Sequence, residues 1–414
     1  MIFRWTFMVA FSVYIINIQT VLGVGLANPI EKSLFLLAAM SCLLTRKVDF
    51  TVIFILFLVL CLVFLQTIFV DYPGFSWSIL LGAINQFVII YAFLGMYPTV
   101  RDRSVLLRFI SYLAIASSVL GVVYGALGIW EPVRVEFATG GARFRGTLFA
   151  AAFLSGVAMI STFAALQVVL KEGRKFYAVL VLANFMILLL SGGRAALVLT
   201  LMVCAASVFM ERSIRFSSKI GMLAGGFTLF AAIFATAWER ILNRFLNSGD
   251  NGREILWDYI ESLNRQYPSG IGFGHQYFSA PEYVKIMTGT YAAHNDFLRI
   301  ALELSYPGML VFYGLMALAI LRVSLRGTLN AGPLLAVAFL AFLILSNSDN
   351  ALATPPYFPL LLVAYLASIK FFRAPATAVV APSGEEDGWR EVGRRTQAQA
   401  FKGPLVPPGT LELR

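Results

Sequence analysis

The sequence predicts an all-α polytopic membrane protein, and three observations carry that prediction. The 414-residue chain is 59% hydrophobic and only 13% charged, with a mean hydropathy of +0.79. That leaves too little polar surface for a water-soluble chain of this length. Its apolar residues fall in runs, many near the ~20 residues that cross a bilayer as a helix. Helix is required there rather than open sheet, because lipid offers the backbone no hydrogen-bond partner.

Taken in order, the apolar runs lie at about 5–27, 33–45, 50–70, 76–97, 109–129, 147–170, 176–190, 195–210, 219–237, 297–321, 331–346 and 356–372. They give about twelve spans, of which the second, seventh and eighth are short. The first run has the look of a signal peptide, but its length and the spans after it favour a retained helix. Residues 1–373 form the transmembrane domain, with one long outward loop at about 238–296. From residue 374 the chain is rich in Pro, Gly, Ala and charge without apolar period, and it reads as a disordered cytoplasmic tail. The two halves of the chain show no repeat of the kind many transporters carry.

Basic residues orient the spans. With the N-terminus in the cytoplasm, the inside segments are MIFR, TRKVD, RDRSVLLR, KEGRK, ERSIRFSSK, LRVSLRG and the tail. They hold 21 of the 32 Lys and Arg, as the positive-inside rule requires. The net charge of +10 therefore reports topology and not nucleic-acid binding. Cys42, Cys61 and Cys204 sit inside apolar runs, which argues against a disulfide framework. The two histidines and three cysteines form no cluster with metal-ligand spacing.

The other 11 basic residues, nine of them arginine, lie outside those inside segments. Topology does not call for these. Arginine suits planar, two-pronged recognition of phosphate or carboxylate. Arg143 and Arg145, in ARFRGTLF (142–149), precede the sixth span, where helix-terminal N–H groups favour an anion. The alternative is that they anchor to lipid headgroups. In LLLSGGRAAL (188–197) the flanking runs are short, so SGGR is a hairpin tip. Gly192 and Gly193 allow the turn and a close backbone approach to a ligand. Arg194 then starts the descending helix, as a ligand contact or as a snorkelling side chain.

Residues 247–274 contain a short helix that Asp250 or Asn251 can cap. Its apolar face is Ile255, Leu256, Tyr259, Ile260 and Leu263. Arg253 lies in its first turn, unfavourable for the helix dipole, so something negative faces it: a ligand, or simply Glu254. The GIGFG run lacks a βαβ context and reads as a flexible turn. His294 stands where the long loop re-enters the membrane, with Asn295 or Asp296 as cap of the next helix. A histidine near a helix N-terminus tends to be neutral and can accept a proton, although a lone histidine is more often structural. Arg299 and Glu303 follow one turn apart, able to pair or to line a cavity. Pro307 and Gly308 should kink this helix.

Several arginines and one candidate base thus share one face. A pyrophosphate leaving group needs positive charge. A sugar hydroxyl acceptor needs a base. Together they describe glycosyl transfer from a lipid-pyrophosphate donor.

The order RFRGT, SGGRAAL, GREILW, YPSGIGFG, AHNDFLRIALEL and a late polar loop resembles the O-antigen ligase and polymerase family of bacterial envelopes, over roughly residues 140–320. The resemblance implies a GT-C-like inner-membrane glycosyltransferase with both termini cytoplasmic and its active site periplasmic. It implies transfer, with inversion, of a glycan from undecaprenyl pyrophosphate to a glycan or lipid A core acceptor, without metal or other cofactor. A chain-length regulator or other assembly proteins are the implied partners. By the same resemblance, Arg194 and Arg253 bind the pyrophosphate and His294 is the base or an acceptor-site residue; in the enzyme reading Arg143 or Arg145 could join the two arginines. Gly192, Gly193, Asn295, Arg299 and Glu303 support them. Two positions depart from the family pattern: the tip usually reads S-x-S-R, and Ser305 stands where glycine is usual. The competing reading is a flippase or exporter of lipid-linked oligosaccharide, which basic cavities also suit. Polymerase and ligase share the donor chemistry and are not separable from these residues.

Overall fold

A computed structural model describes residues 1–135, 141–236, 253–288, 292–326, 332–353 and 357–369. The chain divides into compact units at 1–370 and 371–414, and all described residues belong to the first. The expected cytoplasmic tail, and Asp250 and Asn251, lie outside them.

Helices dominate. In order they are α1 (Ile2–Ile16), α2 (Gln19–Leu22), α3 (Val24–Thr45), α4 (Phe50–Gln66), α5 (Trp77–Gly95), α6 (Val100–Ala126), α7 (Ala151–Glu172), α8 (Phe176–Ser191), α9 (Arg194–Met210) and α10 (Phe216–Thr236). Then come α11 (Arg253–Gln266), α12 (Gln276–Ser279), α13 (Glu282–Thr288), α14 (Asp296–Ser324), α15 (Gly332–Ser348) and α16 (Pro359–Ser368). Five described helices are long and apolar enough to cross a membrane: Phe50–Phe69, Trp77–Gly95, Val100–Ala126, Ala151–Glu172 and Asp296–Ser324.

Local chemistry sets many boundaries. Asp49 caps α4 by accepting the Thr51 N–H at 2.9 Å. Thr99 and Asp102 form a reciprocal capping box at the start of α6. Gly173 and Gly192 end α7 and α8 in the left-handed conformation. Helix α7 is buried on nearly every side, between α6, α8, α9 and α16, as a helix apolar all round should be.

Four expectations need correction. The first apolar run is not one helix: α1 stops at Ile16, and Asn17 turns the chain at φ 57°. The Asn17 carboxamide donates to the Thr147 carbonyl, a contact that a continuous helix would forgo. Helix α3 then begins at Val24 and absorbs the NPIEK segment expected outside the membrane. Among the described residues the fold also carries an antiparallel strand pair, Val133–Val135 with Ala142–Phe144, in which Arg134 lies opposite Arg143.

The GIGFG run is packed rather than flexible. Gly270, Gly272 and Gly274 all have φ near 90°. A Cβ on Gly274 would lie 2.4 Å from Ala83, and one on Gly270 would lie 2.8 Å from the Glu303 carbonyl oxygen. The run answers a need created by α14, which breaks at Ser305 (φ 70°, ψ 164°), two residues before Pro307. Pro307 has no N–H for the Glu303 carbonyl. The Ile271 and Gly272 amides donate instead to the Leu302 and Glu303 carbonyls, at 2.9 and 3.1 Å.

Polar residues sort into two ends in keeping with the alternation of loops. At one end Arg46 reaches Asp102 at 2.6 Å, and Arg326 reaches Asp49 at 3.0 Å. At the other end lie the loops that bear Arg143, Arg194, Arg253 and His294.

Candidate active site

Three arginines from separate segments line one cavity of about 300 Å3: Arg143 from the strand pair, Arg194 from the start of α9 and Arg253 from the start of α11. The strand pair is tied to the SGGR tip, because Arg143 donates from Nε to the Ser191 carbonyl at 2.7 Å. Arg253 reaches the Ser348 carbonyl at the end of α15, at 3.3 Å. Helix α9 presents its N-terminal turn to the cavity, with Arg194, Ala195 and Ala196 in the lining, and the positive end of a helix dipole favours an anion there.

The two tip glycines have distinct roles. Gly192 takes φ 68°. Gly193 has no room for a side chain: a Cβ there would lie 2.4 Å from Ser155 of α7. Ser155 of α7 fills that space and holds the tip in place, while both glycines line the cavity.

Arg145 does not join the other three. Its guanidinium lies 3.8 Å from the Trp130 ring and donates to the Glu131 and Phe149 carbonyls at 2.7 and 3.3 Å. It braces its own loop, one residue past the end of the strand that carries Arg143.

His294 meets the cavity through its wall. Its Nδ1 lies 3.1 Å from Oδ1 of Asp349, a cavity-lining residue. The other Asp349 oxygen accepts the Tyr357 hydroxyl at 2.7 Å, and Oδ1 also accepts the Asn350 N–H at 2.8 Å. Burial pushes the Asp349 carboxyl up, but His294 and these donors outweigh it and hold it below the usual carboxylate range. An ionised Asp349 requires the proton on Nδ1 and leaves Nε2 as the basic nitrogen. His294 is held in the left-handed conformation at φ 49°, uncommon for a residue with a Cβ. Trp257 of α11 fixes the preceding residue by donating to the Ala293 carbonyl at 2.7 Å.

Asp349 and Tyr357 were missed by reasoning from sequence. They lie in and just after SNSDNALATPP, a polar stretch with no recognisable spacing to His294 55 residues earlier. The only signal was an acid in a loop on the face that holds the arginines.

The supporting residues fall behind the site. Asn295, not Asp296, caps α14, accepting the Leu298 N–H at 3.1 Å. Arg299 is fully buried and bonded to Asp296 at 2.8 Å, with Glu303 at 3.6 Å. It pairs rather than facing the arginine-lined cavity. Asp296 in turn accepts the Leu352 N–H at 2.8 Å, tying α14 to the loop that carries Asp349. On α11, Leu256, Ile260 and Leu263 are buried as expected, but Ile255 faces outward.

Fold and site together define a helical membrane protein with an arginine-lined cavity and, at its wall, a histidine paired with an aspartate. Residues 177–313 match the protein-family model described as O-antigen ligase, and this match supports the O-antigen ligase and polymerase family for the chain. Neither a curated protein nor a solved structure gave a significant match.

Proposed function

We propose that this protein transfers a glycan from a polyprenyl pyrophosphate, with undecaprenyl pyrophosphate as the bacterial carrier, to a sugar hydroxyl on the periplasmic face of the inner membrane. The observation that carries this reading is the convergence of Arg143, Arg194 and Arg253 on one cavity whose wall includes Asp349, the partner of His294. The three guanidinium groups take the negative charge of the pyrophosphate and stabilise it further as it leaves. The acceptor hydroxyl gives its proton to Nε2 of His294. Its oxygen attacks the anomeric carbon from the face opposite the phosphate. The anomeric C–O bond breaks, the electron pair leaves with the lipid pyrophosphate, and configuration inverts. Metal is not part of this scheme, because the arginines supply the positive charge. About twelve crossings in a GT-C-like arrangement, with both termini cytoplasmic, belong to the same proposal.

The test is chromosomal deletion in the source bacterium, complementation with point variants and analysis of the surface glycan. Arg143→Ala, Arg194→Ala, Arg253→Ala and His294→Ala should each fail to restore product at normal protein levels. Full restoration by His294→Ala would remove the base assignment. In the deletion strain, single repeats on the final acceptor mean a polymerase, and long chains left on the carrier lipid mean a ligase. Donor lipid retained on the cytoplasmic leaflet would instead mean an exporter.

A further inference from the structure

A second cavity, of about 350 Å3, opens at the same end of the fold. It shares a wall with the arginine cavity: Ala152 and Tyr357 face one side, and their chain neighbours Phe153 and Phe358 face the other. Its polar lining is unlike that of the first. Glu31 of α3 is 6% exposed, is braced by the Gln19 carboxamide at 3.2 Å, and has no ion-pair partner among the described residues. Helix α5 presents Gly82, Asn85 and Gln86 on one face at helical spacing. Asn85 donates to the Lys32 carbonyl at 2.6 Å, and Gln86 accepts from Arg299 at 3.0 Å, so both carboxamides are held in place. Phe35, Phe149 and Phe153 supply flat apolar surface.

Glu31 and Lys32 both line this cavity, so its charge is mixed, unlike the three-arginine lining of the first. One carboxylate, several carboxamides and aromatic faces suit a ligand with many hydroxyls and apolar ring faces, that is, a sugar. The link to the base is structural: Leu352 lines this cavity and donates to Asp296 at the start of α14, two residues after His294.

We propose that this second cavity seats the acceptor sugar and presents its hydroxyl to His294. The proposal rests on the glycosyl-transfer reading above. Gly82 provides the test, because a Cβ built there meets nothing within 4 Å and a larger side chain enters open space. The full-length protein in lipid nanodiscs is assayed for binding of synthetic undecaprenyl pyrophosphate and of glycan-loaded carrier lipid extracted from the deletion strain. Surface glycan is measured in parallel in complemented cells. Gly82→Phe should lower glycan product at least about tenfold, the scale on which a blocked pocket discriminates, and leave both binding affinities unchanged. Gly82→Ala should restore normal product. Glu31→Gln, which keeps size and removes charge, should also lower product with binding unchanged, and it serves if Gly82→Phe does not fold. Normal product from both Gly82→Phe and Glu31→Gln would overturn the proposal. Loss of binding of the glycan-loaded lipid alone would also overturn it, by making the cavity a donor-sugar site. Failure of the wild-type protein to bind either lipid would instead refute the glycosyl-transfer reading itself.

Discussion

Asp349 lies 3.1 Å from Nδ1 of His294 and receives the Tyr357 hydroxyl on its other oxygen at 2.7 Å. The carboxylate sets the tautomer of the imidazole, and the tyrosine sets the carboxylate. Asp349→Asn should keep the geometry but permit the wrong tautomer, lowering product formation by roughly two or more orders of magnitude by analogy with other oriented histidines. Affinity for undecaprenyl pyrophosphate should stay within a few-fold. Tyr357→Phe should show the same split more mildly. Equal losses of binding and transfer would mean that Asp349 shapes the cavity instead of orienting the base.

A glycine packed on the tyrosine ring controls the same contact. A Cβ on Gly156 of α7 would lie 2.3 Å from the Tyr357 ring. That ring is buried and has little room to yield. Gly156→Ala should therefore lower product despite removing no polar group, at a cost in stability of about 1–3 kcal/mol. Glycan analysis beside a melting curve in detergent checks both. Normal product from a normally stable variant would contradict the contact.

Ser305 holds a conformation that glycine adopts freely and other residues do not, at φ 70° and ψ 164°. Ser305→Gly should relieve roughly 1 kcal/mol of strain and raise the melting temperature by a few degrees. Activity should be unchanged, since Ser305 contributes only a weak 3.3 Å contact from the Gly308 N–H. A lower melting temperature would mean that this contact outweighs the strain.

His275 makes stability depend on pH. Burial holds its imidazole below the ordinary histidine range, against the opposing effect of the Gly272 and Phe273 carbonyls. Its Nε2 accepts the Ser76 N–H at 2.8 Å, which needs the neutral ring. The unfolded chain therefore binds the proton first, and stability falls as pH drops below about 6.5 toward the lower folded value. Melting temperatures measured from pH 7.5 down to 5 should show this fall, and His275→Gln should flatten it. An unchanged slope in that variant would assign the pH dependence to other groups.

Much of this was legible in the sequence, for reasons that differ by residue. Apolar runs locate α4, α5, α7, α8 and α9 to within a few residues, because lipid leaves the backbone no other choice. Arg143, Arg194 and Arg253 stood out because nothing about topology calls for arginine on that face. Arg145 looked equivalent from spacing alone, and only its stacking on Trp130 separates it. The break at Asn17 was hidden because its reason, the Thr147 carbonyl, lies 130 residues away. The packed GIGFG turn was hidden in the same way: it satisfies carbonyls freed by a kink in another helix. Asp349, Tyr357 and the second cavity are likewise products of long-range packing, which no local pattern carries.

The most direct measurement is the affinity of the purified full-length protein for undecaprenyl pyrophosphate, compared across Arg143→Ala, Arg194→Ala, Arg253→Ala and Arg194→Lys. We expect each alanine variant to bind at least about tenfold more weakly, which corresponds to about 1.4 kcal/mol per lost contact. Arg194→Lys should also weaken binding, because lysine keeps the charge but loses the planar fork. Wild-type affinity in all three alanine variants would contradict the pyrophosphate site.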